Sequence, residues 1–178
     1  MMAKRKDTSI EQILTEGEFA KKPRVNSRRK GNAFEREIAK LFNTRFNTSE
    51  FARTPGSGAF ATTHTLPEYL QIHGDLITPK DFAYVIECKT GYDITFESIF
   101  NLKSDLYKFI AQAKRDGDKA KKDWMLIYKK SRKKPILITN KRLLLNKILL
   151  INNAYYAYLL TDVLALPELE FFQQHPQN

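Results

Sequence analysis

Cysteine is almost absent from this chain of 178 residues. Its single example, Cys88, excludes an intrachain disulfide framework and any multi-cysteine zinc module, and a reducing compartment is expected. Histidine is scarce as well. His64, His73 and His175 share no metal-ligand spacing, which argues against an HNH or zinc enzyme. Long apolar runs are missing too: the uncharged stretch Ile148 to Thr161 is too short, and too rich in Asn and Tyr, to span a bilayer. Lys4, Arg5 and Lys6 stand near the N-terminus, but acidic residues follow and no apolar signal core does. Glycine-rich Pro55-Gly56-Ser57-Gly58 lacks the Lys-Ser/Thr ending of a P-loop, so nucleotide binding gains no support. Internal repeats are absent. Negative charge is in deficit, with 20 Asp+Glu against 30 Lys+Arg, a net charge of +10 and a pI near 9.6. Such an excess favours a polyanionic partner, nucleic acid or an acidic membrane surface. With 42% apolar and 28% charged residues, the rest of the composition is that of an ordinary soluble, one-domain protein, expected inside the cell.

Residues 1–30 carry nine basic and four acidic side chains without a sustained apolar period, and read as a mobile basic arm. Order is expected from Gly31, as a single domain over residues 31–178 with a C-terminal extension from about residue 140. Phe34, Ile38, Leu41 and Phe42 share one helical face, with Glu35 at its flank, and the helix should end near Phe46. Phe51-Ala52-Arg53 is a short strand candidate. Residues 59 to 73 have no clear period and suggest an excursion over the surface. Gly74 to Thr78 and Phe82 to Lys89 then read as strands of an antiparallel hairpin about residues 79–81. A second helix is expected from Glu97, through Ile99, Leu102, Leu106, Phe109, Ile110 and Ala113, to a stop at Asp116-Gly117. Trp124 to Tyr128 and Pro135 to Thr139 look like strands joined by a basic turn. Leu143 to Ile151 reads as helix or strand, Tyr155 to Leu160 as a strand, and Thr161 as the cap of a last short helix.

Alternation along a strand puts Glu87 and Lys89 on one face, and Tyr84, Ile86 and Cys88 on the other. Folding the hairpin brings Asp75 to the same end. Two carboxylates from neighbouring strands can share a hard divalent cation, for which Mg²⁺ with retained waters is suited. A lysine beside it can orient or help deprotonate a water and stabilise developing phosphate charge. This is equipment for phosphodiester hydrolysis. Without further context, a strand-end salt bridge between Glu87 and Lys89 is the commoner outcome of such a pattern. Cys88 points away from the carboxylates and reads as a buried structural thiol.

Further context comes from four ordered blocks: Lys30-Gly31-Asn32-Ala33-Phe34-Glu35-Arg36, Arg53-Thr54-Pro55-Gly56-Ser57-Gly58, Gly74-Asp75-Leu76 and Ile86-Glu87-Cys88-Lys89. In this order they resemble the Holliday-junction resolvases of the archaeal and phage type, within the PD-(D/E)XK nuclease superfamily. The resemblance covers about residues 30 to 130. It implies an α/β, restriction-endonuclease-like core with a central mixed sheet flanked by helices, in the order α-β-β-β-α-β. It also implies a Mg²⁺ site, with Mn²⁺ able to substitute, made by Asp75, Glu87 and the main-chain carbonyl of Cys88. Glu35 would project toward the same metals, and Lys89 would be the catalytic lysine. Lys30, Arg36 and Arg53 would contact phosphates, and Ser57 would sit in a loop approaching the scissile strand. A homodimer making paired cuts that leave 5′-phosphates, in DNA recombination or repair, would follow. So would action in the cytoplasm, that of a host cell if the chain is phage-encoded.

The chain departs from that pattern in places. Gly74 stands where the family usually has Pro, and the segment from Ser57 to Asp75 is longer than in compact archaeal members. Gln112 lies on the second helix, but position 116 is Asp, so the Gln-x-x-x-Tyr pattern of RecB-like nucleases is absent. Residues 114–134 hold ten basic and three acidic side chains around Trp124 and Tyr128. Lys130, Arg132, Lys133 and Lys134 in this run suit backbone-phosphate contact without base readout. Two other readings stay open: a different nuclease of the same fold, for restriction, repair or DNA processing, and a non-catalytic basic DNA- or RNA-binding protein.

Overall fold

The computed structural model describes residues 26–55, 73–151 and 154–173. The expected arm up to residue 25, most of the expected excursion (residues 59–72), Ser57, His64 and His175 lie outside the described residues.

Helix α1, Ser27–Phe46, begins four residues before the expected Gly31. The apolar period could not reveal its first turn, because Ser27 to Lys30 overhang the core and are exposed. A cap starts it instead: the Asn26 side chain accepts the Arg29 N–H at 3.2 Å, satisfying one of the free donors of the first turn. At the other end Asn47 takes the left-handed conformation, φ 49°, and its N–H returns to the Asn43 carbonyl. Phe34, Ile38, Ala39 and Phe42 are buried on one face, together with Glu35.

Strands β1 (Ala52–Arg53) and β2 (Leu76–Ile77) form an antiparallel pair, with Arg53 opposite Leu76. The expected hairpin between β2 and β3 (Tyr84–Thr90) is not a ladder. The two segments share one backbone bond, from Asp75 N–H to the Ile86 carbonyl at 2.9 Å. The chain entering β3 is occupied by the C-terminal segment instead: Ala83 N–H donates to Phe171, and Gln173 N–H to Asp81.

The main sheet has five strands in the order β3-β4-β5-β7-β6, with β4 Asp123–Lys129, β5 Ile136–Thr139, β6 Leu149–Ile151 and β7 Tyr155–Leu159. Only β3 and β4 run parallel, and a parallel pair needs a crossover. Helix α2, Asp105–Ala120, supplies it. It starts later than expected. Thr95 and Ser98 close a separate 3₁₀ turn over Phe96–Ile99, and Ser104 and Asn101 divert the next backbone groups into local bonds. Leu102 is therefore 68% exposed and not on the helical face. Nor does Gly117 stop the helix. It is buried within it, where a Cβ would lie 3.2 Å from the Trp124 ring and 3.0 Å from the Lys122 carbonyl. Glycine there permits close approach of helix and strand. Of the two structures open for residues 143–151, strand is realised, over Leu149–Ile151. The short helix α3, Leu160–Val163, leaves β7 directly with Leu159 at the cap position, so Thr161 is inside it and not its cap.

Helices cover both sheet faces. Phe34, Ile38 and Phe42 pack with Tyr84, Ile86, Cys88, Met125 and Ile127 on one side. Leu106, Phe109, Ile110 and Ala113 pack with Trp124 and Leu126 on the other. The period-two alternation of β3 and β4 between these layers is the expected mixed α/β, restriction-endonuclease-like core. No helix among the described residues is long and apolar enough to cross a membrane.

Candidate active site

Asp75 is buried at the junction of the two sheets, and the backbone locks it there. Thr54 N–H donates to its carbonyl at 2.9 Å, its own N–H binds Ile86, and its Oδ2 accepts the Cys88 N–H at 2.9 Å. Gly74 makes this approach possible. Its φ is +77°, and a Cβ would stand 2.6 Å from the Ile86 carbonyl oxygen and 2.7 Å from Val85 Cγ1. Proline, locked near −65°, cannot adopt that turn, which explains why the family's usual residue is absent.

Glu87, on β3, points toward α2 and is fully buried. Its Oε1 accepts bonds from Lys89 Nζ and from Gln112 Nε2, the latter at 2.5 Å. Its Oε2 is buried without any partner among the described residues. Burial first, and then the Asp75 charge, push its carboxyl up to about 8, against the pull of Lys89. Lys89 Nζ stands 3.8 Å from Asp75 Oδ2 and 5.6 Å from the centre of the Phe109 ring. Burial works to strip its proton, but Glu87 and Asp75 outweigh it and hold the ammonium above the ordinary lysine range. In this arrangement Lys89 is a firm cation, suited to steadying negative charge.

Glu35 looks off α1 toward the same place. It is buried, and desolvation followed by the Asp75 charge raises its pKa, opposed by Arg53. Arg53 Nε donates to Glu35 Oε2 at 2.6 Å and its Nη2 to Asn32 Oδ1 at 3.1 Å. The arginine expected on phosphate is thus committed here to the carboxylate beside it. Cys88 contributes its backbone to Asp75. Its thiol lies in the α1-side core and burial raises its pKa, so it is no nucleophile.

The structure brings Glu35, Asp75, Glu87, Lys89 and Arg53 together. Among the described residues no three His, Cys, Asp or Glu side chains are gathered tightly enough to form a ready-made metal cage. The donor chemistry nevertheless fits a hard divalent cation: oxygen-only side chains, facing one another, with one carboxylate oxygen buried and unpartnered. Gln112, set aside in the sequence because the RecB-like pattern around it is incomplete, proves to touch the cluster through Glu87. A lone polar side chain on the apolar face of Leu106, Phe109 and Ala113 was the available signal.

The basic candidates are more dispersed. Lys30 reaches the end of β3, where a Cβ on Gly91 would lie 3.4 Å from its Nζ. Arg36 is exposed on α1. Lys130 pairs with Asp93, whereas Arg132, Lys133 and Lys134 are exposed in the β4–β5 turn.

Residues 26–164 match a family described as "Phage putative PDDEXK endonuclease". Protein D14 of Escherichia phage T5 is 33% identical over 114 residues, which cover 61% of this chain and 67% of that protein. No solved structure matches the chain. The matched span contains the two-sided α/β core and every carboxylate of the cluster, so the chain belongs to the phage PD-(D/E)XK endonuclease family.

Proposed function

We propose that this protein is a Mg²⁺-dependent endonuclease that cuts branched DNA, resolving four-way junctions as a homodimer. The observation that carries the metal-dependent reading is Glu87: a fully buried carboxylate with one oxygen unpartnered among the described residues, sharing the Lys89 ammonium with Asp75. A buried acid in that condition costs stability unless a cation takes it up.

Asp75 and Glu87 would hold the metal, with Glu35 and the Cys88 carbonyl as further ligands. When bound, it supplies Lewis-acid polarisation of the phosphate and a lowered pKa for a water. The chain's own groups do the rest. Gln112 fixes the Glu87 carboxylate in the direction of Asp75. Lys89 places a fixed positive charge where the phosphoryl group gathers negative charge, in a site already shielded from water. Lys30, Arg36 and Ser57, with the turn Lys130 to Lys134, would hold backbone phosphates and leave the bases unread, and Arg53 would reach a phosphate only with the guanidinium edge that Glu35 and Asn32 leave over.

Four-way junctions are favoured over linear duplex by the order of the four sequence blocks. Such a junction has two-fold symmetry, so a dimer places one site on each of two opposed strands. The test is a panel of linear, flapped and four-way DNA with Mg²⁺, beside Asp75→Asn. Paired nicks in the four-way substrate alone, lost in Asp75→Asn and in EDTA, are expected. Cutting of linear duplex with intact junctions left alone would place the enzyme in restriction or processing. No cutting of any substrate would leave a DNA-binding protein.

A further inference from the structure

We propose that the groove between α1 and β1 is a second nucleic-acid subsite, a track for the strand as it leaves the catalytic carboxylates. This rests on the endonuclease reading and extends it from Arg36 and Arg53 to Lys40, Thr44 and Thr48, which the family motifs do not include. The groove has a volume of about 410 Å³ and is lined by Arg36, Lys40, Thr44, Thr48 and Arg53, over a floor that includes Ala39. None of its lining residues is acidic. Lys108, Lys114, Lys129 and Lys130 each pair with a carboxylate, whereas Arg36 and Lys40 make no ion pair among the described residues and leave the groove a net positive charge.

Its position follows from helix periodicity. Asn32, Glu35/Arg36, Ala39/Lys40 and Asn43/Thr44 recur at three- and four-residue spacing, so the groove continues the stripe that presents Glu35 to the carboxylate cluster. Both walls are pinned. Asn43 Nδ2 donates to the Phe51 carbonyl at 2.8 Å and its Oδ1 accepts the Phe51 N–H at 2.9 Å. At the catalytic end Arg53 is clamped to Glu35 and Asn32. A site held open in this way has little ordering cost to meet when a ligand enters.

The chemistry is that of phosphate. Arg36 offers a planar fork for two phosphate oxygens and Lys40 a point charge. Thr48 Oγ1 already accepts the Glu50 N–H at 3.3 Å, so its own O–H remains free to donate. From Arg36 to Thr44 the helix advances about 12 Å, room for about three nucleotides of stacked strand. Contacts of this kind hold the backbone and read no sequence.

The experiment measures binding of the full chain to labelled duplex and four-way DNA in EDTA, across a range of salt, by fluorescence anisotropy. Lys40→Ala is expected to weaken binding about fivefold and to lower the slope of log affinity against log salt by about one. Thr44→Trp fills the groove without changing charge and should weaken binding as well. Lys147→Ala, an exposed lysine elsewhere, serves as the charge-matched control and should match wild type. If Lys40→Ala and Thr44→Trp both bind like wild type while Asp75→Asn still abolishes cutting, the groove is no subsite and the endonuclease reading stands. A wild-type protein that neither binds nor cuts any DNA would overturn both.

Discussion

Glu87 shows what a buried carboxylate costs the fold that holds it. With its folded pKa pushed up to about 8 and an unfolded value near 4.5, the folded state binds more protons between those limits. Stability therefore falls as pH rises through that window, and the loss is complete above it. Glu87→Gln removes the titration and keeps the shape. In EDTA it should raise stability by up to about 4 kcal/mol at pH 8, or about 12 °C in melting temperature, and by nothing near pH 4. Mg²⁺ should raise the melting temperature of wild type at pH 8 and leave that of Glu87→Gln unmoved, since only a ligand bound by the native state stabilises it. A variant that melts below wild type in EDTA would show that Lys89 and Gln112 already satisfy the charge. Gly74 makes the opposite demand. Gly74→Pro restores the family's usual residue, yet a φ of +77° and the Ile86 carbonyl 2.6 Å from the Cβ position forbid it. A loss of about 3 kcal/mol and of cleavage together is expected, read by thermal melting and a junction-nicking assay. At this scale much could be read in advance. The spacing of Glu87 and Lys89 settles their shared face, because a strand has only two. The Gln112 contact was hidden because it depends on which helix turn crosses β3, a tertiary fact that no local period contains.

Among the elements, the best-read segments are those whose own periodicity decides them. The cores of β3, β4 and β5 are of this kind, as is the apolar face of α1 except for Leu41, which lies at its edge and is exposed. Boundaries went otherwise, each for a particular competitor. Polar side chains at Thr95, Ser98 and Ser104 broke the expected second helix before its start, and a glycine read as its stop lies buried against Trp124. The expected hairpin lost its ladder to residues 171–173, which are distant in sequence and so invisible to any local pairing rule. The early start of α1 rests on Asn26. The first turn holds no acidic residue to favour the helix dipole and three basic ones to oppose it, so the cap carries more than its usual share. Asn26→Ala should cost about 1 kcal/mol, against a few tenths for Asn26→Gly, measured by chemical denaturation. An equal, negligible effect of both would mean that packing alone starts the helix.

For the whole molecule, the excess of +10 takes on a direction once the strands are in place. Residues 114–134 hold ten basic and three acidic side chains, outside the four sequence blocks that carry the carboxylate cluster. Parallel pairing changes that separation: Lys89 lies opposite Tyr128 and Thr90 opposite Lys129, so the turn after β4 emerges at the end of the sheet where Lys89 stands. Lys130 is held by Asp93, which leaves Arg132, Lys133 and Lys134 exposed beside the site. Arg132 sits at φ 60°, in the left-handed region, so Lys133 and Lys134 are the charges to remove without disturbing that backbone position. Replacing Lys133 and Lys134 with Ala should therefore lower the salt dependence of DNA binding by about two and raise KM far more than it lowers kcat. The replacements touch no group in contact with Glu87, so loss should appear in association and disappear as DNA approaches saturation. Equal losses in kcat and kcat/KM would instead put the turn against the reacting phosphate, making these lysines part of the chemistry.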